Sequence, residues 1–200
     1  PKYSNPQGIT YSDEVVKRFA ALKPAAPDFR IYWDNAYGVH ILSEVEDPRD
    51  NLLNILEECE KAGNPDMVFM FASTSKITYA GAGISAVASS KNNIADIKKQ
   101  MNYMIISYDK MNQLRHVKFF GTFENMLEHM KKHMAIIAPK FKVVLDALDS
   151  EIKPLGIGSY TKPNGGYFIS YDGLPGTAKR CVQLCRDAGA KFTDAGATFP

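Results

Sequence analysis

The chain has 200 residues and is 45% hydrophobic, enough to bury a substantial core in one or two domains. Its 24 basic and 22 acidic side chains leave a net charge of +2 and are scattered, which argues against a nucleic-acid partner and against binding to a charged membrane surface. No apolar run approaches the ~20 residues that span a bilayer, the residues present carry no signal-peptide pattern, and three cysteines (Cys59, Cys181, Cys185) suit a reducing, cytoplasmic setting better than a disulfide framework.

The opening "PKYSNPQG" lacks an initiator Met and reads as the middle of a longer protein. Asn5-Pro6 and Gly8 mark a turn. Ser12-Asp13-Glu14 predicts a helix start, and "DEVVKRFAALK" places Val15, Val16, Phe19 and Leu22 on one face. Pro24 and Pro27 end that helix, and "FRIYWD" predicts a strand. Pro48 to Lys61 predicts a second helix, broken by Gly63-Asn64-Pro65. "MVFMFAS" predicts a second strand, and its lack of alternation predicts cover on both faces. Helix then strand, twice over, predicts an α/β layer with a largely parallel sheet.

"GISAVAS" predicts a further strand, and the chain from about Ile94 to Leu148 predicts helix, with Thr122 as an N-cap and a bend or break at Pro139. "NGGYFISYDGLPGTAKRCVQLCRDAGAKF" predicts turn, strand, turn, helix and strand, a second and smaller α+β lobe. Cys181 and Cys185 stand four apart on that helix as small half-buried residues and not as a metal pair.

In open α/β sheets, ligands bind beyond the carboxyl ends of strands. Asp34 ends "FRIYWD", Tyr37 follows in "DNAY", and Lys76 lies just beyond "MVFMFAS". If the two strands are neighbours, an acid, a phenol and an amine share one rim. An amine at the end of a buried strand loses hydration, which is what Schiff-base chemistry requires of it.

"NPQG", "DNAY", "STSK" and "GGYFISYDGLP", in that order, resemble the fold-type-I pyridoxal-phosphate enzymes, the class I aminotransferases. "WDNAY", "STSKITYAGAG" and "DKMNQLRH" are similar to a bacterial aspartate aminotransferase branch. The resemblance covers essentially the whole chain. It implies the three-layer α/β transferase fold, with 1–121 as part of the large cofactor domain, 122–148 as a connecting helical segment and 149–200 as part of the small domain. It implies that Lys76 binds pyridoxal 5'-phosphate as a Schiff base and shuttles the substrate's proton. It further implies that Asp34 pairs with the ring nitrogen, that Tyr37 and Asn5 hydrogen-bond the ring oxygen, and that Ser73, with Ser75 behind it, meets the phosphate. The implied reaction moves an amino group from an L-amino acid, aspartate first, to 2-oxoglutarate in a homodimer. A cofactor-sensing transcription regulator and a lyase on the same scaffold are the alternatives.

Many relatives place an arginine eight residues after the lysine; here that position is Ile84. The turn at Gly81-Ala82-Gly83 offers a backbone anion nest instead. The ring-stacking aromatic and the arginine that grips the substrate carboxylate fall outside these residues, so the chain reads as a central fragment. Arg115 is a candidate for a substrate side-chain carboxylate or a structural ion pair. His129 and His133 in "HMKKH" lack the metalloprotease glutamate and predict an exposed helix face, while Met126, Met130 and Met134 predict core. No partner is visible for His40 or His116, and no metal site is expected.

Overall fold

The computed structural model describes residues 1–45, 47–194 and 196. Helix α1 runs Asp13–Ala20, started by the Ser12 hydroxyl, which accepts from the Val15 N–H at 3.4 Å. Strand β1 is Ile31–Asp34. The helix predicted from Pro48 divides. A 3-10 turn at Pro48–Asp50 stops, and helix α2 starts at Ile55–Lys61. The Asn54 side chain accepts from the Leu56 N–H at 3.1 Å, so a residue that competes for backbone hydrogen bonds sets a new N-cap. Asn64 then donates to the carbonyls of Ala20 at 2.8 Å and Leu22 at 3.2 Å, tying the ends of both helices together.

Strands β2 (Val68–Ser73) and β3 (Ser85–Ala88) complete a three-stranded sheet of order β1-β2-β3. β1 and β2 run parallel, with Ile31 opposite Val68 and Asp34 opposite Phe71. β3 returns antiparallel, with Ser73 opposite Ser85. The sheet is thus parallel at the pair that matters for the rim and antiparallel at its other edge.

The core lies on one face. Val16, Ala20, Trp33, Ile55, Cys59, Met67 and Val68 pack together there under α1 and α2. Trp33 is met edge-on by Tyr11 and Phe19, with ring centroids 5.5 and 6.1 Å away. The opposite face carries Tyr32, Phe69 and Phe71, and Tyr32 is 72% exposed. The expected cover on both faces of β2 therefore holds on one face only. Helices α1 and α2 both lie on that side, and the alternation of side chains turns Phe69 and Phe71 to the other.

Helices α3 (Lys91–Met104), α4 (Lys110–Phe120) and α5 (Phe123–Ala147) follow, capped by Ser90, Asp109 and Thr122. Helix α5 passes through Pro139 without ending. Pro139 and Ala135, whose carbonyl loses its donor, are both exposed, so water can satisfy that group. Beyond α5, β4 (Gly158–Tyr160) pairs antiparallel with β5 (Tyr171–Gly173), and α6 is Ala178–Asp187. The last predicted strand is absent among the described residues. Residues 190–194 are irregular, and the β4-β5 sheet supplies no third partner. Cys181 and Cys185 are half-buried free thiols on α6.

The segment before β5 returns to the residues after β1. The Gly166 N–H donates to the His40 carbonyl at 2.7 Å, and the Leu42 N–H to the Asn164 carbonyl at 3.0 Å. A side chain at Gly165 would start 2.3 Å from the Tyr3 ring, so glycine is required at this crossing.

Ile55 is fully buried between α2 and the sheet. Ile55→Ala in the full-length protein is expected to cost about 3 kcal/mol, read as a lowered urea midpoint. An unchanged midpoint would refute this account of the core.

Candidate active site

The rim is built by the parallel pair. The Asn35 N–H continues the ladder by donating to the Phe71 carbonyl at 2.9 Å. The Asp34 carboxylate then accepts from the Ala36 N–H at 3.0 Å, an Asx turn that swings the chain inward. Tyr37 is thereby buried, its ring edge-on to His40, Tyr167 and Phe168 at 5.5 to 5.8 Å. The Lys76 Nζ stands 5.1 Å from the centre of the Tyr37 ring, within range of a cation–π contact. Burial first, and the Asp34 charge second, raise the Tyr37 phenol above its ordinary value, so it is a neutral donor at neutral pH.

Asp34, Tyr37 and Lys76 therefore meet at the carboxyl ends of neighbouring strands. Lys76 and Asp34 are both exposed. The lysine expected to be desolvated is exposed among the described residues, at the rim where the strand before it ends. Ser73 is half-buried on the same strand end, and its hydroxyl donates to that of Ser75 at 3.2 Å. Asn5 lies in an exposed turn closed by the Gly8 N–H on the Ser4 carbonyl. Among the described residues its side chain bonds none of the other four.

The turn that carries Lys76 is pinned at several points. The Thr74 N–H donates to the Ile84 carbonyl, and the Ile84 N–H to the Thr74 hydroxyl, each at 2.9 Å. Ile84, where an arginine was expected, thus works through its backbone. The Ala82 N–H is committed to the Tyr79 carbonyl at 3.2 Å, so the proposed nest at Gly81-Ala82-Gly83 does not offer that donor to an anion. A methyl at Gly83 would lie 2.6 Å from the Ser75 hydroxyl, which makes this the closest approach in the turn.

Helix α4 supports the turn from outside. Asn112 donates to the Ala82 carbonyl at 2.8 Å. The His116 Nδ1 donates to the Asn112 carbonyl at 2.9 Å, which leaves Nε2 bare to accept from the Thr74 hydroxyl at 2.8 Å. His40 also has a partner, the Lys76 carbonyl at 3.2 Å. His129 and His133 are half-buried and face this turn, contrary to the exposed face expected. Met130 is buried beside them, with Met126 and Met134 half-buried. Arg115 is exposed and, among the described residues, in no ion pair. Thr74, Gly83, His116 and Tyr167 lay inside the motifs "STSKITYAGAG", "DKMNQLRH" and "GGYFISYDGLP"; nothing local in the sequence singled out His40.

Residues 1–200 match the family described as aspartate amino-transferase. The chain belongs to that family. A Mycolicibacterium smegmatis protein is 48% identical over 201 residues, spanning 100% of this chain and 46% of that protein. The aspartate aminotransferase of Corynebacterium glutamicum is 44% identical, and its crystal structure superposes with a TM-score of 0.92 over 100% of this chain and 46% of that one. The fold is therefore that of the aspartate aminotransferase-like enzymes. The alpha-aminoadipate aminotransferase of Thermus thermophilus, at 20% identity and a TM-score of 0.74 over 98% of this chain and 48% of that one, shares the fold. The chain spans about half the length of these relatives. Among the described residues, no helix is long and apolar enough to cross a membrane.

Gly83→Ala is expected to displace the Ser75 side of the turn, costing about 1–3 kcal/mol and lowering the melting temperature of the full-length protein. Wild-type melting would show that the turn has room to relax.

Proposed function

We propose that this chain carries the lysine-bearing half of a pyridoxal 5'-phosphate aminotransferase, which moves an amino group from an L-amino acid, aspartate first, to 2-oxoglutarate. The observation that carries the reading is the Lys76 amine beside the Tyr37 ring, at the rim that Asp34 shares, in a chain of this family. The donor set suits the cofactor: one amine, one carboxylate, one neutral phenol and two neighbouring hydroxyls. When bound, the cofactor supplies an aldehyde and an electron-withdrawing protonated ring.

The residues divide the work by their chemistry. The Lys76 Nζ would hold the aldehyde carbon covalently, with loss of water, and as a free amine would carry a proton to and from the substrate Cα. The Asp34 carboxylate would hold the ring nitrogen and favour its protonated form. Tyr37, held neutral, donates to the ring oxygen, and Asn5 joins it there. The Ser73 hydroxyl, with Ser75, meets the phosphate.

The proposal includes 1–121 as part of the large domain, 122–148 as its connecting segment and 149–200 as part of the small one. It includes a homodimeric, cytoplasmic enzyme. Supporting the assembly, Tyr103, Met104 and Ile106 at the end of α3 are 79% exposed or more, an apolar patch that further chain or a second subunit would cover. The Corynebacterium relative named aspartate aminotransferase supports aspartate as donor.

Lys76→Ala in the full-length protein is expected to lower transamination by more than ~10³-fold while leaving the fold intact, since nucleophile and proton carrier are lost together. Borohydride reduction of the wild-type holoenzyme followed by peptide mass spectrometry is expected to mark Lys76. Transamination surviving in the variant would overturn the assignment, and release of ammonia or carbon dioxide by the wild type would turn it toward a lyase.

A further inference from the structure

Three aromatic side chains converge on the backbone of Lys76 and Ile77, and a fourth, His133, stands behind them. The Lys76 carbonyl accepts from the His40 Nε2 at 3.2 Å and from the Tyr167 hydroxyl at 3.2 Å. The Ile77 carbonyl accepts from the His129 Nε2 at 3.0 Å. His129 and His133 face each other through their Nε2 atoms at 3.1 Å, and the His133 Nδ1 reaches the Tyr167 hydroxyl at 3.4 Å.

Carbonyl oxygens only accept, which fixes the protons. His129 carries its proton on Nε2. The His133 Nε2 must then be bare, and its proton sits on Nδ1, aimed at Tyr167. Tyr167 in turn donates to the Lys76 carbonyl. With His133 singly protonated, the one His129 Nε2–H is shared between the Ile77 carbonyl and the bare His133 Nε2. A second proton on His133 would set two Nε2–H groups against each other at 3.1 Å. A second proton on His40 would fall on Nδ1, which is buried without a hydrogen-bond partner among the described residues; burial therefore disfavours it, although Nε2 would still donate to the Lys76 carbonyl.

Resting on the reading that Lys76 bears the cofactor, we infer that His129, His133 and Tyr167 are positioning residues: a proton-sensitive latch that joins α5 and the segment before β5 to the backbone of the catalytic lysine. The titratable groups facing it are Tyr37 and His40 from the loop after β1, Lys76 from the turn after β2, and Tyr167 from the segment before β5. Helix α4 presents the rings of Phe119 and Phe120 to His129. Burial first, and His129 second, hold His133 below its ordinary value of 6.5. A lowered histidine favours the fold above its ordinary value, so the latch is closed above about pH 6.5 and opens as pH falls through the lowered one.

The test uses the full-length holoenzyme, with hydrogen–deuterium exchange of the peptide around Lys76 followed from pH 8 to 5 and corrected for intrinsic exchange. In wild type, protection is expected to fall below about pH 6.5 together with kcat. Tyr167→Phe should speed exchange about fivefold at pH 8, the effect of one lost hydrogen bond, and lower kcat more than it raises KM. His133→Gln, which cannot gain the proton, should lose the acid step in both readouts. Acid steps in His133→Gln matching those of wild type, or wild-type exchange in Tyr167→Phe, would overturn the latch. Failure of borohydride to mark Lys76 would overturn the cofactor reading instead, and the exchange data would still decide the latch.

Discussion

Everything in the site depends on two short strands running side by side in the same direction. Because β1 and β2 are parallel, both end at one rim, and Asp34 and Lys76 arrive there from positions 42 residues apart. The connection that permits this contains helix α2, which packs with α1 on a single face. Trp33, Ile55 and Val68 then hold the strand pair against the helices by burial, beside its own hydrogen-bonded ladder. The rim stands on a hydrophobic contact made on one face of the same strands, up to the residue before Asp34.

Rigidity at the rim comes from hydrogen bonds rather than from burial. Lys76 and Asp34 are exposed, while the turn around them is tied to Thr74, Ile84, His116 and Asn112. Most of these ties end on backbone groups. Side chains on α4 and α5 thereby set the path of the main chain and leave the Lys76 amine exposed. Such a division suits the role proposed for Lys76, in which the anchor would be fixed and the amine would swing.

Much of this was legible in the sequence. The strand ends were marked by where "FRIYWD" and "MVFMFAS" stop, and the acid, phenol and amine by their places just beyond. Helix caps at Ser12, Thr122 and Asn54 follow from local chemistry, although Asn54 divided a helix that the apolar spacing alone ran together. What failed were readings that needed neighbours. The pair at His129 and His133 has the spacing of an exposed face on an isolated helix. It becomes half-buried only because the turn after β2 is brought against it.

The sequence by itself determined the elements, the α/β class and the residue types able to act on a cofactor, because those depend on interactions within a few residues. Only the tertiary structure decided that one face of the sheet is covered, that Tyr37 is buried while Lys76 is not, and that Thr74, His40, His116 and Tyr167 join the turn. These contacts span 91 residues of chain for Tyr167 on Lys76 and 131 (168 − 37) for Phe168 on Tyr37, and such a distance leaves no periodic trace in the sequence.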